Sequence, residues 1–557
     1  MVDKKSLSRS WWKEQIIYQI YPRSFKDSSG NGVGDINGII DKLDYIESLG
    51  VTSVWVNPIY ASPNDDNGYD ISDYRAIMTE FGNMDDFDAM LRGLHDRNIK
   101  FVMDLVVNHT SDEHDWFQQS RSSRNNPYRD YYHWWPAEKG KPAFRWSYFD
   151  EKGEAWKYDA LTDAYYLHYF SEKQPDLNWE NPKVREEIYA VMKFWAEKGV
   201  DGFRLDAFQF VAKDTDFPRL PAEYESDIRQ IIKYHGMRPH IHTYLREMFD
   251  QVLGKYDVFA VSEGAGSNFE DAHALVDEDR RELQMAYHFE CVDMGRDVDN
   301  LHTTKQFKDV HTAWDRSFAK DGWLAIFLAN HDLPRIVSRF GNDQPQYREA
   351  AAKMLNTFLL TMRGTPFCYF GDEIGMTNIS FDRIEQYQDI AAINGYKKAS
   401  TNGEDLNKYM RNLRAFSRDN SRTPMQWDDT EFAGFSDAKP WLPVNENKSD
   451  VNVCLQAKDE TSVLSHFKHL TCLRRKSLTL VYGAYTLLLP EHESVYAYQR
   501  DLGDECILIL LNFSAARVVI KLAASLNTRH VLINNYSDFE ATSDGANLLP
   551  FQALVLK

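Results

Sequence analysis

The 557-residue chain is poor in cysteine: Cys291, Cys368, Cys454, Cys472 and Cys506 are odd in number, scattered and without metal-ligand spacing. That argues against a disulfide scaffold or a zinc module and points to free thiols in a reducing compartment. Long apolar runs are also missing, and the start, MVDKKSLSRSWWKEQ, has no apolar segment followed by a cleavage site. A soluble cytoplasmic protein with no membrane partner is therefore expected. Basic residues are outnumbered, 64 Lys and Arg against 84 Asp and Glu, for a net charge of −20. A field of that sign repels nucleic acid and anionic lipid, so a neutral or cationic small ligand fits better. No low-complexity tract or internal repeat appears. The length suits a large α/β barrel with an insertion and an appendage.

Against these absences stand three acids, each where a short apolar run stops. Asp206 ends GVDGFRLDAF (199–208), Glu263 ends DVFAVSEG (257–264) and Asp332 ends LAIFLANHD (324–332), accompanied by Arg204, Ser262 and His331. In a barrel of parallel strands, that end is where loops and chemistry gather. Burying carboxylates near one another is costly unless they are paired or functional. The alternative for each acid alone is a helix cap or an ion pair with a nearby Arg; three together read as an acid/base site on strand tips.

The layout agrees. IIYQIY (16–21), VTSVWVNP (51–58) and KFVMDLVVNH (100–109) read as buried strands, separated by the amphipathic stretches 38–50 and 84–98. This is the βαβ rhythm of a parallel sheet. Residues 110–179, rich in aromatics, Asp, Asn and Gly, break it and read as an inserted domain. The rhythm resumes with the helix-like 181–199, and 1–109 with 180–479 forms the barrel domain. From 480 to 557 the runs SVYAYQR, CILILLNF, RVVIKLA, RHVLINNY and ALVLK predict an antiparallel β domain.

DLVVNH (104–109), GFRLDAF (202–208), SEG (262–264) and ANHD (329–332) resemble, in order, the four signature regions of the α-amylase family of glycoside hydrolases (family 13). QPDLN (174–178) resembles the extra region of its oligo-1,6-glucosidase and α-glucosidase branch. The likeness extends to WWKEQIIYQIYPRSF (11–25), SPNDDNGYDISDY (62–74), NHTSDEHDWF (108–117) and SRDNSRTPMQWDD (417–429). The resemblance implies an α/β fold, a (β/α)8 TIM barrel with an inserted domain B and a C-terminal antiparallel β domain. It also implies retaining cleavage of α-glucosidic bonds in small neutral α-glucosides.

A retaining pair needs one ionised carboxylate and one protonated carboxyl about 5 Å apart. Asp206 is assigned as nucleophile, kept ionised by Arg204, because alternate strand positions share a face. Glu263 is assigned as general acid/base, since burial beside other acids favours the protonated form of a carboxyl. Asp332 is expected to bind substrate hydroxyls, with His109 and His331 as donors. The resemblance places Asp66 and Arg418 at the non-reducing end, closing the pocket for exo action. Tyr69 would stack on the sugar, and Phe149, Phe170 and Gln174 would line the same pocket.

DSSGNGVGD (27–35) resembles a metal loop in which Asp27, Ser29, Asn31, the Val33 carbonyl and Asp35 would hold Ca2+ or Mg2+. The alternative is a Gly-rich turn held by its own hydrogen bonds. No cofactor is expected for the chemistry, and a monomer or weak homo-oligomer is expected. Ala207, Gly264 and Leu333 depart from the Val, Met and Gln common in α-1,6-preferring relatives and bear on specificity. Sucrose isomerases share the scaffold, but their charged segment is only faintly echoed by DMGRDVD (293–299), so hydrolysis or glucosyl transfer ranks above isomerisation. A non-catalytic glucosidase-like module, tethered to a membrane and lacking parts of the triad, ranks lower.

Overall fold

β-Branched and aromatic runs that are buried on both faces form a parallel sheet. The computed structural model, which describes residues 7–150, 152–522, 526, 529–542 and 544–557, has eight such strands. They are β1 (Ile17–Ile20), β2 (Ser53–Val56), β3 (Lys100–Val106), β4 (Gly202–Asp206), β5 (Phe259–Glu263), β6 (Met285–Tyr287), β7 (Ala325–Ile326) and β8 (Thr365–Tyr369). β1 to β6 pair in succession, and β1 also pairs with β8, which pairs with β7. A single parallel bridge from Ala286 to Leu324 links β6 to β7 and brings the sheet to near closure.

Local signals set the helices between strands. Asn83 caps Met84–Asp96 in a reciprocal box with Asp86. Asn181 and Pro182 open Pro182–Lys198, and Gly199 ends it in a left-handed conformation (φ 106°). The stretch 38–50 is not one helix; it divides into Ile36–Ile40 and Leu43–Ser48.

Strand β7 is also shorter than LAIFLANHD suggests, because its ladder ends opposite Pro366, paired with Ile326, and proline has no N–H to give. Asp332 therefore lies six positions beyond the strand, in a loop.

After β3, Trp134–Pro136, Ala164–Leu167 and Trp156–Asp159 make a small antiparallel sheet, and the bridge His109–Asp176 ties this region back to the end of β3. At the C-terminal end, Ala484–Leu488, Val495–Leu502, Glu505–Asn512, Ala553–Leu556 and Val531–Asn534 form a five-stranded antiparallel sheet. Val518–Lys521, Gly545–Leu548 and Glu540–Thr542 form a second sheet. Ala523, the last residue of the expected strand RVVIKLA, and residues 1–6 lie outside the described residues. No helix among the described residues is long and apolar enough to cross a membrane.

Candidate active site

Asp206 and Glu263 are the last residues of the neighbouring strands β4 and β5. Arg204, two residues before Asp206 and fully buried, serves both. Its Nη1 is 2.5 Å from Asp206 Oδ1 and 3.0 Å from Asp104 Oδ1, and its Nη2 is 2.5 Å from Glu263 Oε1. Trp55 and Tyr69 lie against the guanidinium, 5.3 and 6.0 Å from ring centroid to Cζ. Glu263 also accepts a hydrogen bond, 2.9 Å, from the backbone N–H of Ala207.

Three carboxylates around one guanidinium leave excess negative charge in a largely buried site. Burial, then the charge of Glu263, push the Asp206 carboxyl well above its ordinary range, with Arg204 opposing. Asp104 is raised as well, by burial, again against Arg204. Both shifts favour the protonated form of a carboxyl that would be ionised in isolation.

Asp332 has the opposite surroundings. Burial would raise its carboxyl, but His331, Arg418 and Arg422 hold it well below the usual carboxylate range. The contacts are His331 Nε2 at 3.1 Å, Arg418 Nη1 at 3.2 Å and Arg422 Nη2 at 2.8 Å. It therefore stays ionised and, with its side chain one-third exposed, is open to a ligand.

The residues expected to bind the sugar cluster here too. Gln174 donates to Asp66 at 3.2 Å, and His109 Nε2 faces the Tyr69 carbonyl at 3.2 Å. Arg418 is only 3.5 Å from Asp66 and pairs more closely with Asp389. Phe149 lies under Arg418, 4.9 Å away, and Phe170 contacts both His109 and Phe149. The Tyr69 ring stacks on His331, 5.1 Å between centroids, and its hydroxyl donates to Asp104. Burial pushes Asp66 up to about 7 despite Arg418 and Arg422, and lowers His109 to about 3, so this histidine stays neutral.

Of the specificity candidates, Ala207 is buried and left-handed (φ 48°). Gly264 is also left-handed (φ 81°), and a Cβ there would come within 3.2 Å of Gln209 and Phe289. Leu333 is buried in an apolar cluster with Tyr287, Val292 and Phe327. Ser262, which accompanied Glu263 in the sequence, turns back to donate to the Gly264 carbonyl.

The 27–35 loop closes on itself. Asp27 accepts from the N–H groups of Ser29, Gly30 and Gly32 and from the hydroxyls of Ser29 and Ser436. Asp35 accepts from Ser28 N–H and Oγ and from Gly38 N–H, and Asn31 accepts from Val33 N–H. All four carboxylate oxygens are thus already engaged. Among the described residues no group of three or more His, Cys, Asp or Glu could hold a metal ion.

Sequence reasoning passed over Asp104, Arg422, Asp389 and Tyr287. Asp104 and Arg422 stand inside motifs quoted above, so their signal was present. Asp389 stands in none of those motifs, and it shows itself only through Arg418.

The family model "Alpha amylase, catalytic domain" matches residues 19–483, and "Maltogenic Amylase, C-terminal domain" matches 485–554. The oligo-1,6-glucosidase of Bacillus cereus is 46% identical over 559 residues, covering 99% of this chain and 100% of the relative. That of Parageobacillus thermoglucosidasius is 48% identical over 561 residues, covering 99% of each. Among solved structures, isomaltulose synthase from Klebsiella sp. LX3 superposes with a TM-score of 0.95 at 44% identity, covering 99% of this chain and 100% of its own. The isomaltulose synthase of Protaminobacter rubrum gives 0.95 at 43%, covering 99% of each. The chain belongs to the α-amylase family of glycoside hydrolases.

Proposed function

We propose that this protein is a retaining, exo-acting α-glucosidase that releases terminal glucose from short α-glucosides, with glucosyl transfer as a side reaction. The observation that carries the reading is the sharing of Arg204 between Asp206 and Glu263. Two acids held by the two ends of one guanidinium stand close together, as a nucleophile and its acid/base must in a retaining enzyme.

In this account Glu263 gives a proton to the leaving oxygen while Asp206 attacks the anomeric carbon. Arg204 Nη1, 2.5 Å from Asp206 Oδ1, favours the ionised form of the nucleophile, opposing the burial and the Glu263 charge that raise its carboxyl. Ionised Asp332 takes substrate hydroxyls and favours the cationic transition state. Asp66, Gln174, His109 and Arg418 close the far end of the pocket, which limits the site to chain ends. Residues 110–179 form the inserted domain B and 480–557 the C-terminal domain.

The hydrogen bonds within 27–35 favour the self-held turn over a Ca2+ or Mg2+ loop. The five free cysteines support a reducing, cytoplasmic setting.

A second reading, sucrose isomerisation, draws support from the likeness to the isomaltulose synthases. Against it, the charges of 293–299 are spent on local pairs: Arg296 on Asp293, and Asp297 and Asp299 on Lys408. Incubating the purified protein with maltose, isomaltose, sucrose and trehalose decides between them. Free glucose from these substrates is expected; an isomeric disaccharide as the main product from sucrose would favour isomerisation.

A further inference from the structure

Beyond its three acids, Arg204 has a fourth polar partner, which is neither acid nor assigned substrate ligand. Tyr287, the last residue of β6, stands beside Glu263 in the β5–β6 ladder, and its hydroxyl accepts from Arg204 Nε at 3.1 Å. The tyrosine is buried, and its ring is held edgewise by Phe327 (4.8 Å) and Phe289 (5.7 Å), with Phe367 at 6.4 Å. The hydroxyl position is thus fixed by packing.

The geometry of a guanidinium makes this contact consequential. Its five N–H groups lie in one plane, so fixing the Nε edge fixes where Nη1 and Nη2 point. Asp104 from β3, Asp206 from β4, Glu263 from β5 and Tyr287 from β6 surround that plane, with Trp55 and Tyr69 against it. Asp104 shares Nη1 with Asp206, so it draws on the same nitrogen as the nucleophile. Tyr287 alone among these polar partners meets Nε, on the side away from Nη1.

We propose that Tyr287 is a positioning residue of the glucosidase site, holding Arg204 in the rotation that serves Asp206 and Glu263 together. The inference rests on the function proposed above. Without the hydroxyl, Arg204 would still be buried among carboxylates but free to turn toward Asp104, weakening its hold on the catalytic pair. The ionised form of Asp206 would then be less favoured. Tyr287 touches neither substrate nor reacting atoms in this account, so substrate affinity is expected to survive its loss.

Tyr287→Phe keeps the ring and removes only the hydroxyl. With a nitrophenyl α-glucoside, kcat is expected to fall roughly ten-fold or more, the size expected for a lost hydrogen bond to a charged group. KM should stay within about two-fold, and the acid limb of the kcat/KM profile should move to higher pH, since that limb reports ionisation of the free enzyme's nucleophile. A lowered thermal midpoint with kcat and the acid limb unmoved would mean a structural role only and overturn the proposal. Should Tyr287→Phe not fold, Phe327→Leu loosens the ring while keeping the hydroxyl; a smaller move of the acid limb in the same direction is expected, and no move overturns the proposal. A parent protein that cleaves no α-glucoside would sink the proposed function itself, whereas an active parent with an unaltered variant sinks this inference alone.

Discussion

The backbone N–H of Ala207 reaches Glu263 Oε2 at 2.9 Å, and it does so from a left-handed conformation (φ 48°, ψ 18°) directly after Asp206. The residue joining the two catalytic candidates is thus under backbone strain. A small side chain suits this conformation. A β-branched residue in this region is an outlier, costing about 1–3 kcal/mol.

Ala207→Val is therefore expected to lower the thermal midpoint and also to change linkage preference. With alanine, maltose or sucrose should be used at least as well as isomaltose, because the missing branch leaves room for differently angled aglycones. A size change of this kind shifts discrimination by about 1–3 kcal/mol, roughly ten- to a few-hundred-fold. The ratio of kcat/KM for maltose to isomaltose, in parent and variant, separates the two effects, since strain alone lowers both terms alike. An unchanged ratio would remove Ala207 from the specificity account.

Asp66 gives a pH prediction. Its folded carboxyl lies near 7, above the unfolded range, so folding takes up a proton there. The stability linked to that proton is complete below about pH 4 and is lost as pH rises through about 7. Asp66→Asn removes this dependence. The variant should match the parent near pH 4 and melt a few degrees higher at pH 8, and on the proposed sugar-binding role of Asp66 its KM should rise. Equal midpoints for parent and variant at pH 8 would count against a strained Asp66.

Asp332 runs the other way. Its carboxyl is depressed, so the stability it contributes is present above the ordinary carboxylate range and is lost only as pH falls through its low folded value. Asp332→Asn leaves Arg418 and Arg422 short of a counter-charge. It should be destabilised at neutral pH, with the gap to the parent closing only in strong acid, and kcat should drop by orders of magnitude. Calorimetry across pH checks the first point; a variant as stable as the parent at pH 7 would contradict the ion-pair account.

For the 27–35 turn, Asp27→Ala removes an acceptor serving three N–H groups and two hydroxyls, and is expected to cost about 3 kcal/mol or more. The parent's midpoint should not respond to chelator, Ca2+ or Mg2+. A clear rise on adding either ion, abolished in Asp27→Ala, would restore the cation reading through binding linkage.

The barrel and two of its three acids were legible because buried parallel strands write themselves as short β-branched runs, and Asp206 and Glu263 close two of them. Asp332 was legible as a residue but not in its place. The apolar run hides that Pro366, distant in sequence, ends the ladder of β7. Partnerships were less legible than positions. Arg418 stands beside Asp66 at 3.5 Å, but its closer ion pair with Asp389 had no signal in the sequence, and Tyr287 reads from the sequence as one more core aromatic. The left-handed turn at Ala207 could not be read at all, since alanine carries no signature of it.

Covalent trapping at Asp206 tests the central claim most directly. Glu263→Gln, given α-glucosyl fluoride, should form the glucosyl-enzyme without needing an acid for its leaving group, yet release it slowly for want of a base. Mass spectrometry of the digested variant should find one added glucosyl group on the peptide containing Asp206, and none in Asp206→Asn. A glucosyl group on any other residue, or no adduct together with β-glucose as first product from the parent, would contradict the account.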